Sequence, residues 1–259
     1  MEKDQPIRAI TRALSILKTI NRLDSPTLTE ISRATDLPYP TTFRIVQTLI
    51  SEGMIEQEPF RKRYRATEQV KALSFGFQED DQLLKAASGP MQDFTAQYLW
   101  PVTLSVRVGN RMMIKHSTHQ LTSQTFTNYH PGYTLPLLES ASGRAHMAFC
   151  SDEERDTVLD GFKTRATERS AMSLELMTGS DLLTQIQSQG YAEYARTQHN
   201  ATPGRTSAFA VPVIESGALR ACITLVFFNK AHSMEDAVGR YLAPLQSLAS
   251  TIGANVEAE

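Results

Sequence analysis

The sequence predicts an α+β fold with a helical N-terminal part and a C-terminal domain built on an antiparallel sheet. Apolar residues recur every three or four positions through much of the first 98 residues, which is the period of a helix. From Trp100 onward, apolar and polar residues alternate in several segments, which is the period of a strand. The chain has 259 residues, more than the ~100–150 commonest for one domain, so we expect domains at 1–66 and 81–259 and a linker helix over 67–80.

The composition is typical of a globular protein, with 41% hydrophobic and 21% charged residues. The longest apolar run, residues 221–228, is far shorter than the ~20 residues that span a bilayer, and residues 1–6 do not have the pattern of a signal peptide. Two cysteines favour a reducing compartment, so we expect a cytoplasmic protein without a membrane partner. Residues 1–78 carry 12 Lys and Arg against 9 Asp and Glu, whereas the remainder carries 14 against 19. The N-terminal part is therefore slightly basic and the rest of the chain slightly acidic.

Two helices are predicted before Pro38. The first covers residues 8–22, where apolar residues line one side of the helix. That stripe consists of Ile10, Leu14, Leu17 and Ile20. Thr27 and Glu30 have the spacing of a capping box, in which a hydroxyl and a carboxylate satisfy free N–H groups at a helix start. A second, short helix should therefore follow Thr27 and end before Pro38, because the residue before a proline resists the helical conformation.

A third helix and a hairpin come next. Proline is tolerated in a first helical turn, so the third helix is expected to begin at Tyr39-Pro40 and to stop at Gly53. Its expected buried stripe is Phe43, Val46, Leu49 and Ile50. Residues 54–65 contain two short extended segments around a basic tip, which indicates a β-hairpin. This order of elements is that of a winged helix-turn-helix, whose third helix enters the major groove of DNA.

The side chains expected on the outer face of the third helix suit the reading of bases. Arginine can bond guanine bidentately, glutamine can bond adenine, and threonine can contact a phosphate or a thymine methyl group, while basic residues on the hairpin would contact phosphates. The predicted DNA contacts are Arg12, Thr29, Tyr39, Thr41, Thr42, Arg44, Gln47, Arg61, Lys62 and Arg63, with Arg65 beside them. The alternative is a protein-interaction module, in which Arg44 bonds Glu30 or Glu52 and Tyr39 packs on the body.

The C-terminal part begins with helical patterns over 67–78 and 81–98, with a bend or break at Gly89-Pro90. Leu73 and Phe77 are expected on the inner face of the first of these helices. Residues 102–108 alternate as a half-buried strand, and Gly109-Asn110 predicts a hairpin turn. The other predicted strands cover 112–114, 209–214 and 221–228, and the other predicted helices cover 142–149, 153–162, 181–189 and 234–256.

Several motifs, in this order, resemble the IclR-type family of regulators. They lie at residues 12–17, 28–31, 37–49 and 53–55, and again at 135–145, 189–191 and 210–213. The resemblance covers about residues 7–256. It implies a winged helix-turn-helix followed by a GAF-like effector-binding domain, and a double-stranded, palindromic operator. It also implies dimers or tetramers of the chain and, for an activator, contact with RNA polymerase.

Within that family, further motifs are most similar to the activators of hydroxyphenylpropionate catabolism. They lie at residues 73–77, 100–101, 118–119, 136–138, 141–143, 148–150 and 222–226. This likeness implies a small organic acid as effector, aromatic in kind, and control of a catabolic operon. Two segments depart from the family pattern: Tyr39-Pro40 replaces a basic and a small residue, and residues 193–199 replace an acidic stretch.

A carboxylate ligand needs a cation or free N–H groups on the wall of an otherwise apolar cavity. The family resemblance implies that the wall is formed by Leu138, Ser140, Ala141, Gly143, Tyr194, Arg196, Ala208 and Thr224, with Arg107, His116 and Arg205 as charge partners. Thr224 interrupts an apolar run, so its hydroxyl needs a partner, and Gly143 could open a helix N-terminus to an anion. Structural roles are the alternative, with Thr224 bonded to neighbouring backbone, Arg107 at the surface of a strand and Ser142 as a helix cap.

Motifs for catalysis or metal binding are absent from the sequence. It has no His-x-x-x-His or Cys-x-x-Cys pair, no Gly-x-Ser-x-Gly elbow and no phosphate-binding loop. Cys150 and Cys222 lie at positions expected to pack in a core. We therefore expect no enzyme activity, no cofactor and no metal. The alternative function is a ligand-binding sensor or a thiol enzyme whose head does not bind DNA.

Overall fold

The chain forms two compact units, residues 1–79 and residues 80–259. The computed structural model describes residues 7–23, 25–74, 81–124, 129–165, 168–179, 181–195 and 206–258. The first unit is helical with a small hairpin, and the second is built around a sheet with helices on both faces. The α+β class expected from the sequence, with a helical N-terminal part and an antiparallel sheet in the C-terminal part, is thus confirmed.

The N-terminal unit packs three helices and a two-stranded sheet around one core. Its elements are α1 (Arg8–Leu23), α2 (Leu28–Thr35), α3 (Tyr39–Ser51), β1 (Ile55–Gln57), β2 (Tyr64–Ala66) and α4 (Gln69–Ala72). The core consists of Ile16, Ile20, Leu28, Ile31, Val46, Leu49, Ile55 and Tyr64. Each helix contributes residues three or four positions apart, so helical periodicity alone explains how these side chains meet.

The ends of α2 are set by the local sequence. The hydroxyl of Thr27 accepts a bond from the backbone N–H of Glu30, whose carboxylate accepts one from the Thr27 N–H at 2.7 Å, so the predicted capping box is confirmed. Asp36 ends the helix in the left-handed conformation, with φ of 51°. Two residues later Pro38 precedes α3, which begins at Tyr39 as predicted.

Two expectations for this unit are wrong in detail. Ile10 and Leu14, which belong to the predicted apolar stripe of α1, do not pack inward with Ile20: they are 55% and 49% exposed, because the inward side is formed by Ile16, Thr19 and Ile20. The predicted helix over 67–78 is represented in the described residues by the single turn α4. Leu73, expected on an inner face, is exposed, and Phe77 lies outside the described residues.

The C-terminal unit contains a six-stranded antiparallel sheet in its described residues. The strands are β3 (Val102–Val108), β4 (Arg111–Ser117), β5 (Thr134–Pro136), β6 (Ala192–Ala195), β7 (Thr206–Glu215) and β8 (Ala218–Phe228), in the spatial order β5-β4-β3-β8-β7-β6. The helices are α5 (Asp81–Tyr98), α6 (Ala141–Phe149), α7 (Asp152–Arg165), α8 (Glu168–Gly179), α9 (Leu182–Gln189) and α10 (Met234–Ala258). The hairpin turn predicted between β3 and β4 is confirmed.

Both faces of the sheet are covered, which explains the long apolar runs of β7 and β8. Ile223, Leu225 and Phe227 pack in the cluster that contains α5 and α10, whereas Cys222 and Val226 pack in the cluster that contains α6 and α9. Successive side chains of a strand point to opposite faces, so a strand buried on both sides has no polar alternation. The expectation that β3 is half-buried is wrong for this reason: its polar residues Thr103 and Ser105 are buried under α6.

Among the described residues, four elements were not predicted, namely the short strands β5 and β6, the helix α8 and a short 3₁₀ helix at His119–Leu121. The break expected at Gly89-Pro90 does not occur, because α5 continues through Pro90 to Tyr98. Among the described helices, none combines the length and the apolar character needed to cross a membrane.

Candidate nucleic-acid interface and ligand cleft

The solvent-facing side of α3 carries four of the ten side chains predicted to contact DNA. Tyr39, Arg44 and Gln47 are exposed and Thr41 is half-buried, opposite the core residues of the helix. In the described part of the chain, no acidic side chain forms an ion pair with Arg44, so the alternative that assigned it an acidic partner is not observed. Its guanidinium is therefore available for base edges or phosphates.

Thr42 lies on the other side of the helix. It is fully buried, and its hydroxyl donates a hydrogen bond to the carbonyl oxygen of Pro38 at 3.2 Å. The prediction that Thr42 is exposed toward DNA is wrong, because the buried stripe of α3 begins at Thr42. Phe43, which was expected to begin it, is 46% exposed.

The hairpin between β1 and β2 divides the predicted basic contacts into two groups. Arg61 and Lys62 are exposed at its tip. Arg63 is instead held against the body of the unit, where its Nη1 donates to the carbonyl oxygen of Ser25 at 2.7 Å and lies 3.8 Å from the Glu30 carboxylate. Arg65 forms an ion pair with Glu56 at 2.6 Å. Arg12 on α1 and Thr29 on α2 are both exposed.

Phe60, at the tip of the same hairpin, was not among the predicted contacts. Its side chain is fully exposed, and its φ of 66° lies in the left-handed region that a bulky residue rarely adopts. It is followed directly by Arg61 and Lys62. The available signal in the sequence was an aromatic residue directly before two basic residues in a predicted turn.

A cleft lies between the α6 side of the sheet and the N-terminus of α6 in the C-terminal unit. It contains about 340 Å³ of empty space, part of it open to solvent. Among the described residues, its wall consists of Tyr129, Leu135, Glu139, Ser140, Ala141, Ser142, Tyr194, Thr206, Ser207, Ala208, Thr224 and Val226. Five of these side chains are aliphatic hydroxyls and two are tyrosines, so the wall can hydrogen-bond a ligand and also pack against a flat ring.

Ser140 lies at the edge of the cleft that is formed by the N-terminus of α6. It is the N-cap of α6, and its hydroxyl accepts from the Gly143 N–H at 3.1 Å and donates to the Pro136 carbonyl at 2.8 Å. Gly143 does not line the cleft: a Cβ at this position would lie 1.7 Å from the carbonyl oxygen of Leu137, so only glycine lets the helix start this close to the preceding loop. The predicted role of Gly143 as a wall residue is therefore wrong.

Thr224 forms the floor of the cleft. Its side chain points to the α6 face of β8 and is 4% exposed, and its hydroxyl has no hydrogen-bond partner among the described residues. A buried hydroxyl without a partner costs about 1–3 kcal/mol. The alternative that Thr224 bonds to neighbouring backbone is not observed among the described residues, and Thr224 is one of the residues that line the cleft.

The structure brings five of the predicted effector residues together and separates the others. Ser140, Ala141, Tyr194, Ala208 and Thr224 line the cleft. Leu138 does not, because it is buried in the core under α6. Arg196 and Arg205 lie outside the described residues. Seven wall residues were missed, of which Tyr129, Leu135 and Glu139 come from the loop, β5 and turn segments that precede α6.

The predicted charge partners Arg107 and His116 are not part of the wall. Arg107 donates from Nε to the Glu154 carboxylate at 2.7 Å, so its charge is already compensated. Burial lowers the pKa of His116, which keeps the imidazole neutral at neutral pH. A different cation lies behind the wall: the Arg144 guanidinium is 4.8 Å from the ring centre of Tyr194.

The two cysteines are buried and free. Burial raises the pKa of both the Cys150 and the Cys222 thiols, so neither is a thiolate at neutral pH. A nucleophilic thiol needs the opposite shift. The arrangement of these residues does not support the thiol-enzyme alternative.

Comparison with known families gives matches to both units. Residues 9–59 match the IclR helix-turn-helix domain, and residues 78–254 match the C-terminal domain of bacterial IclR transcriptional regulators. The second match alone covers more than half of the chain.

Curated relatives agree with this assignment. The HTH-type transcriptional regulator KdgR of Escherichia coli is 22% identical over 251 residues, covering 96% of this chain and 93% of that protein. The HTH-type transcriptional regulator XynR of the same species is 24% identical over 189 residues, covering 72% of this chain and 73% of that protein. Both are named as regulators and not as enzymes.

Solved structures share the fold. An IclR family regulator from Brucella abortus has a TM-score of 0.64 at 21% identity, covering 98% of this chain and 94% of that one. An IclR homolog from Microbacterium hydrocarbonoxydans, crystallised with 4-hydroxybenzoate, has a TM-score of 0.64 at 20% identity, covering 97% and 100%. These identities are low enough that the structural likeness speaks for the fold alone. The matches of both units show that this chain belongs to the IclR family of DNA-binding transcriptional regulators.

Proposed function

We propose that this regulator binds a small aromatic carboxylic acid in the cleft beside α6 and thereby changes the affinity of its N-terminal unit for an operator. The observation that carries the effector half of this proposal is the buried hydroxyl of Thr224, which lines a hydroxyl-rich cleft and has no hydrogen-bond partner among the described residues. A buried polar group without a hydrogen-bond partner raises the free energy of the folded state. A ligand that forms a hydrogen bond with this group would remove that cost.

The acid is inferred from the chemistry of the wall. The α6 N-terminus offers backbone N–H groups and a positive dipole end, which favour a carboxylate, and Arg144 adds a charge from behind the Tyr194 ring. The rings of Tyr129 and Tyr194 give the cleft flat apolar surface. The 4-hydroxybenzoate bound to the Microbacterium homolog is a compound of this class. The motifs similar to hydroxyphenylpropionate activators point the same way, toward an aromatic acid and a catabolic operon.

On the DNA side, we assign base contacts to the exposed face of α3 and backbone contacts to the hairpin. Arg44 and Gln47 would reach base edges in the major groove. Arg61 and Lys62 would contact phosphates, and the exposed Phe60 would enter the adjacent minor groove as an apolar wedge. Arg63 and Thr42 instead hold the unit together. A cytoplasmic location follows from binding to bacterial DNA.

The assembly is proposed to be a dimer or a tetramer on a palindromic operator. Exposed apolar residues at the start of α1 and directly before it would be covered by a second copy of the N-terminal unit; they are Ile7, Ile10 and Leu14, which recur at helical spacing. Two heads related by a two-fold axis match two half-sites of a palindrome. If the protein is an activator, RNA polymerase is a further partner.

A screen of the full-length protein tests the effector half. Thermal unfolding is measured with millimolar aromatic and aliphatic carboxylic acids, because a ligand specific to the native state raises the apparent stability. We expect at least one aromatic acid to raise the midpoint and to change the affinity for DNA selected from a random pool. The proposal fails if DNA is bound selectively but no aromatic acid shifts either quantity.

A further inference from the structure

Outside the cleft, three metal-ligating side chains meet where α6 is followed by α7. His146 lies in the last turn of α6, Cys150 is the residue that caps this helix, and Glu154 lies in the first turn of α7. One donor atom from each comes within 4.8 Å of the other two, and Nε2 of His146 is 3.1 Å from Oε1 of Glu154. The spacing of four residues between successive members escaped the sequence motifs examined above, which require paired histidines or paired cysteines.

The local backbone explains why the three side chains converge. Residues 146 and 150 are one helical turn apart, so they lie on the same side of α6. Ser151 then starts α7, accepting a bond at its hydroxyl from the Glu154 N–H at 3.2 Å, and this short turn returns Glu154 to the side occupied by His146. His146 and Cys150 are buried, whereas the Glu154 side chain is 34% exposed, so the cluster opens to solvent on one side.

We propose that His146, Cys150 and Glu154 bind a divalent cation of the zinc class. Imidazole, thiolate and carboxylate are the three ligand types that Zn²⁺ takes from proteins. Zinc bond lengths of ~2.0–2.3 Å in a tetrahedron require donors about 3.3–3.6 Å apart. The His146–Glu154 pair is already near that separation, and the sulfur closes the remaining distance by a small rotation.

The chemistry of the donors selects among cations. A thiolate and an imidazole are soft or borderline ligands that favour Zn²⁺ and Co²⁺ over Mg²⁺ and Ca²⁺, which prefer oxygen. On binding, the Cys150 thiol loses its proton to solvent and its sulfur forms the bond to the metal. Water on the solvent side of Glu154 completes the tetrahedral set.

Arg107 is compatible with this role but limits the affinity. Its Nε donates to the Glu154 oxygen that also faces His146, at 2.7 Å. A carboxylate oxygen has more than one lone pair, so Oε1 of Glu154 can bind a metal on its His146 side and still accept from Arg107, and such outer partners commonly orient a ligand. The same positive charge repels the cation, so Arg107→Gln should tighten metal binding.

Cobalt titration of the tag-free, reduced, full-length protein tests the site. With Co²⁺ alone, we expect one equivalent to give the visible bands of a tetrahedral site together with a thiolate-to-cobalt charge-transfer band in the near ultraviolet, and Zn²⁺ to displace both. Cys150→Ser should remove the charge-transfer band. Glu154→Gln keeps the size of the side chain and should weaken Co²⁺ binding by about tenfold or more.

Cys222→Ala is the matched control, because it removes the other buried cysteine and should leave all bands unchanged. A far-ultraviolet circular dichroism spectrum and a thermal midpoint close to those of the wild-type protein show that each variant is folded. The proposal is overturned if the wild-type protein does not bind Co²⁺ saturably. It is also overturned if Glu154→Gln binds with unchanged affinity, or if Cys222→Ala rather than Cys150→Ser removes the charge-transfer band.

Discussion

The hydroxyl of Thr42 and the carbonyl oxygen of Pro38 form a hydrogen bond of 3.2 Å at the start of α3. This bond closes the first turn of the helix that carries Arg44 and Gln47, and it directs Thr42 into the core. Thr41, its neighbour in the chain, is left half-buried on the side of the exposed residues. Adjacent threonines therefore have different environments, one buried in the core and one on the exposed side of the helix.

Replacing Thr42 by valine should destabilise the N-terminal unit without changing which DNA sequence is preferred. The substitution keeps the shape but removes the bond to Pro38, which costs about 0.5–1.5 kcal/mol in the free energy of unfolding. Urea unfolding and operator binding by fluorescence anisotropy measure the two effects. Thr48→Val is the matched control: Thr48 makes a similar bond to the Arg44 carbonyl at 3.1 Å but is exposed, so its loss should cost less.

Replacing Arg44 by alanine should weaken binding to the selected operator by about 1–3 kcal/mol and relax the preference at one base pair. Binding to random DNA should change much less, because a base contact supplies specificity. Arg61→Ala is the contrasting variant, since a phosphate contact should weaken binding to all sequences and reduce the salt dependence. If Arg44→Ala weakens binding to operator and random DNA equally, Arg44 contacts the phosphate backbone of DNA and not a base.

Replacing Phe60 by alanine should weaken operator binding about five- to tenfold, because burial of a phenylalanine in a groove is worth up to about 1.5–3 kcal/mol. The side chain is fully exposed in the unbound unit, so the thermal midpoint should not change. The bend angle of operator DNA, measured by the mobility of permuted fragments, should fall together with the affinity. Phe60→Leu keeps an apolar wedge and should retain most of both. An unchanged bend angle in Phe60→Ala would contradict the wedge.

The sequence was sufficient for the elements of the N-terminal unit but not for the rotation of each helix. In α3 the buried stripe can begin at Thr42 or at Phe43, two residues that are adjacent in the chain. Hydrophobicity alone predicts that the phenylalanine is the buried one. The structure has Thr42 inside because its hydroxyl can bond the Pro38 carbonyl, which compensates the buried polar group. A side-chain bond to a helix start is not visible in apolar periodicity.

The sequence also predicted only part of the ligand cleft, because several of its wall residues are brought together by the tertiary fold. Thr224 was singled out from the sequence because a polar residue inside an apolar run needs a hydrogen-bond partner, whereas Ser140 was identified through the family resemblance. Tyr129 and Glu139 lie in irregular segments whose position depends on the whole sheet, and no local pattern places them in a wall. Arg107 was expected to pair with a ligand, but its partner is Glu154, 47 residues away. Charge pairs of that separation follow from the tertiary fold.

Lowering the pH should destabilise the C-terminal unit, because His119 is buried there in its neutral form. This residue is buried and stacked on Tyr129, and burial lowers its pKa to about 4 from the ordinary value near 6.5. Between these values the unfolded chain binds a proton that the folded chain does not, so the unfolding free energy should fall as pH decreases from about 6.5 to 4, by at most about 3 kcal/mol.

His119→Phe checks this assignment, since phenylalanine can keep the stacking but cannot titrate. Urea unfolding across this pH range should show a smaller slope in the variant, with the remainder due to other groups such as His146, whose pKa is also lowered by burial. Above pH 7 the slopes of the two proteins should coincide. If the slope of unfolding free energy against pH below 6.5 is the same in both proteins, groups other than His119 cause the sensitivity to acid.

Replacing Thr224 by valine should move stability and ligand response in opposite directions. The substitution keeps the shape of the side chain and removes a buried hydroxyl that has no partner among the described residues, so the unliganded protein should gain about 1 kcal/mol. That gain corresponds to a rise of about 2–4 °C in the thermal midpoint. An effector that bonds this hydroxyl should bind about tenfold more weakly, since a lost hydrogen bond in a buried site costs about 1–1.5 kcal/mol.

Thr103→Val separates this effect from a general repacking of the sheet. Thr103 is the cross-strand neighbour of Thr224, is also buried, and does not line the cleft. Its replacement should leave the affinity for the aromatic acid unchanged. If Thr103→Val and Thr224→Val weaken the acid equally, the cleft responds to the packing of the sheet and not to the Thr224 hydroxyl. If neither changes it, the acid binds away from the floor of the cleft. A loss confined to Thr224→Val, accompanied by a higher thermal midpoint, is the result that a direct bond between this hydroxyl and the effector requires.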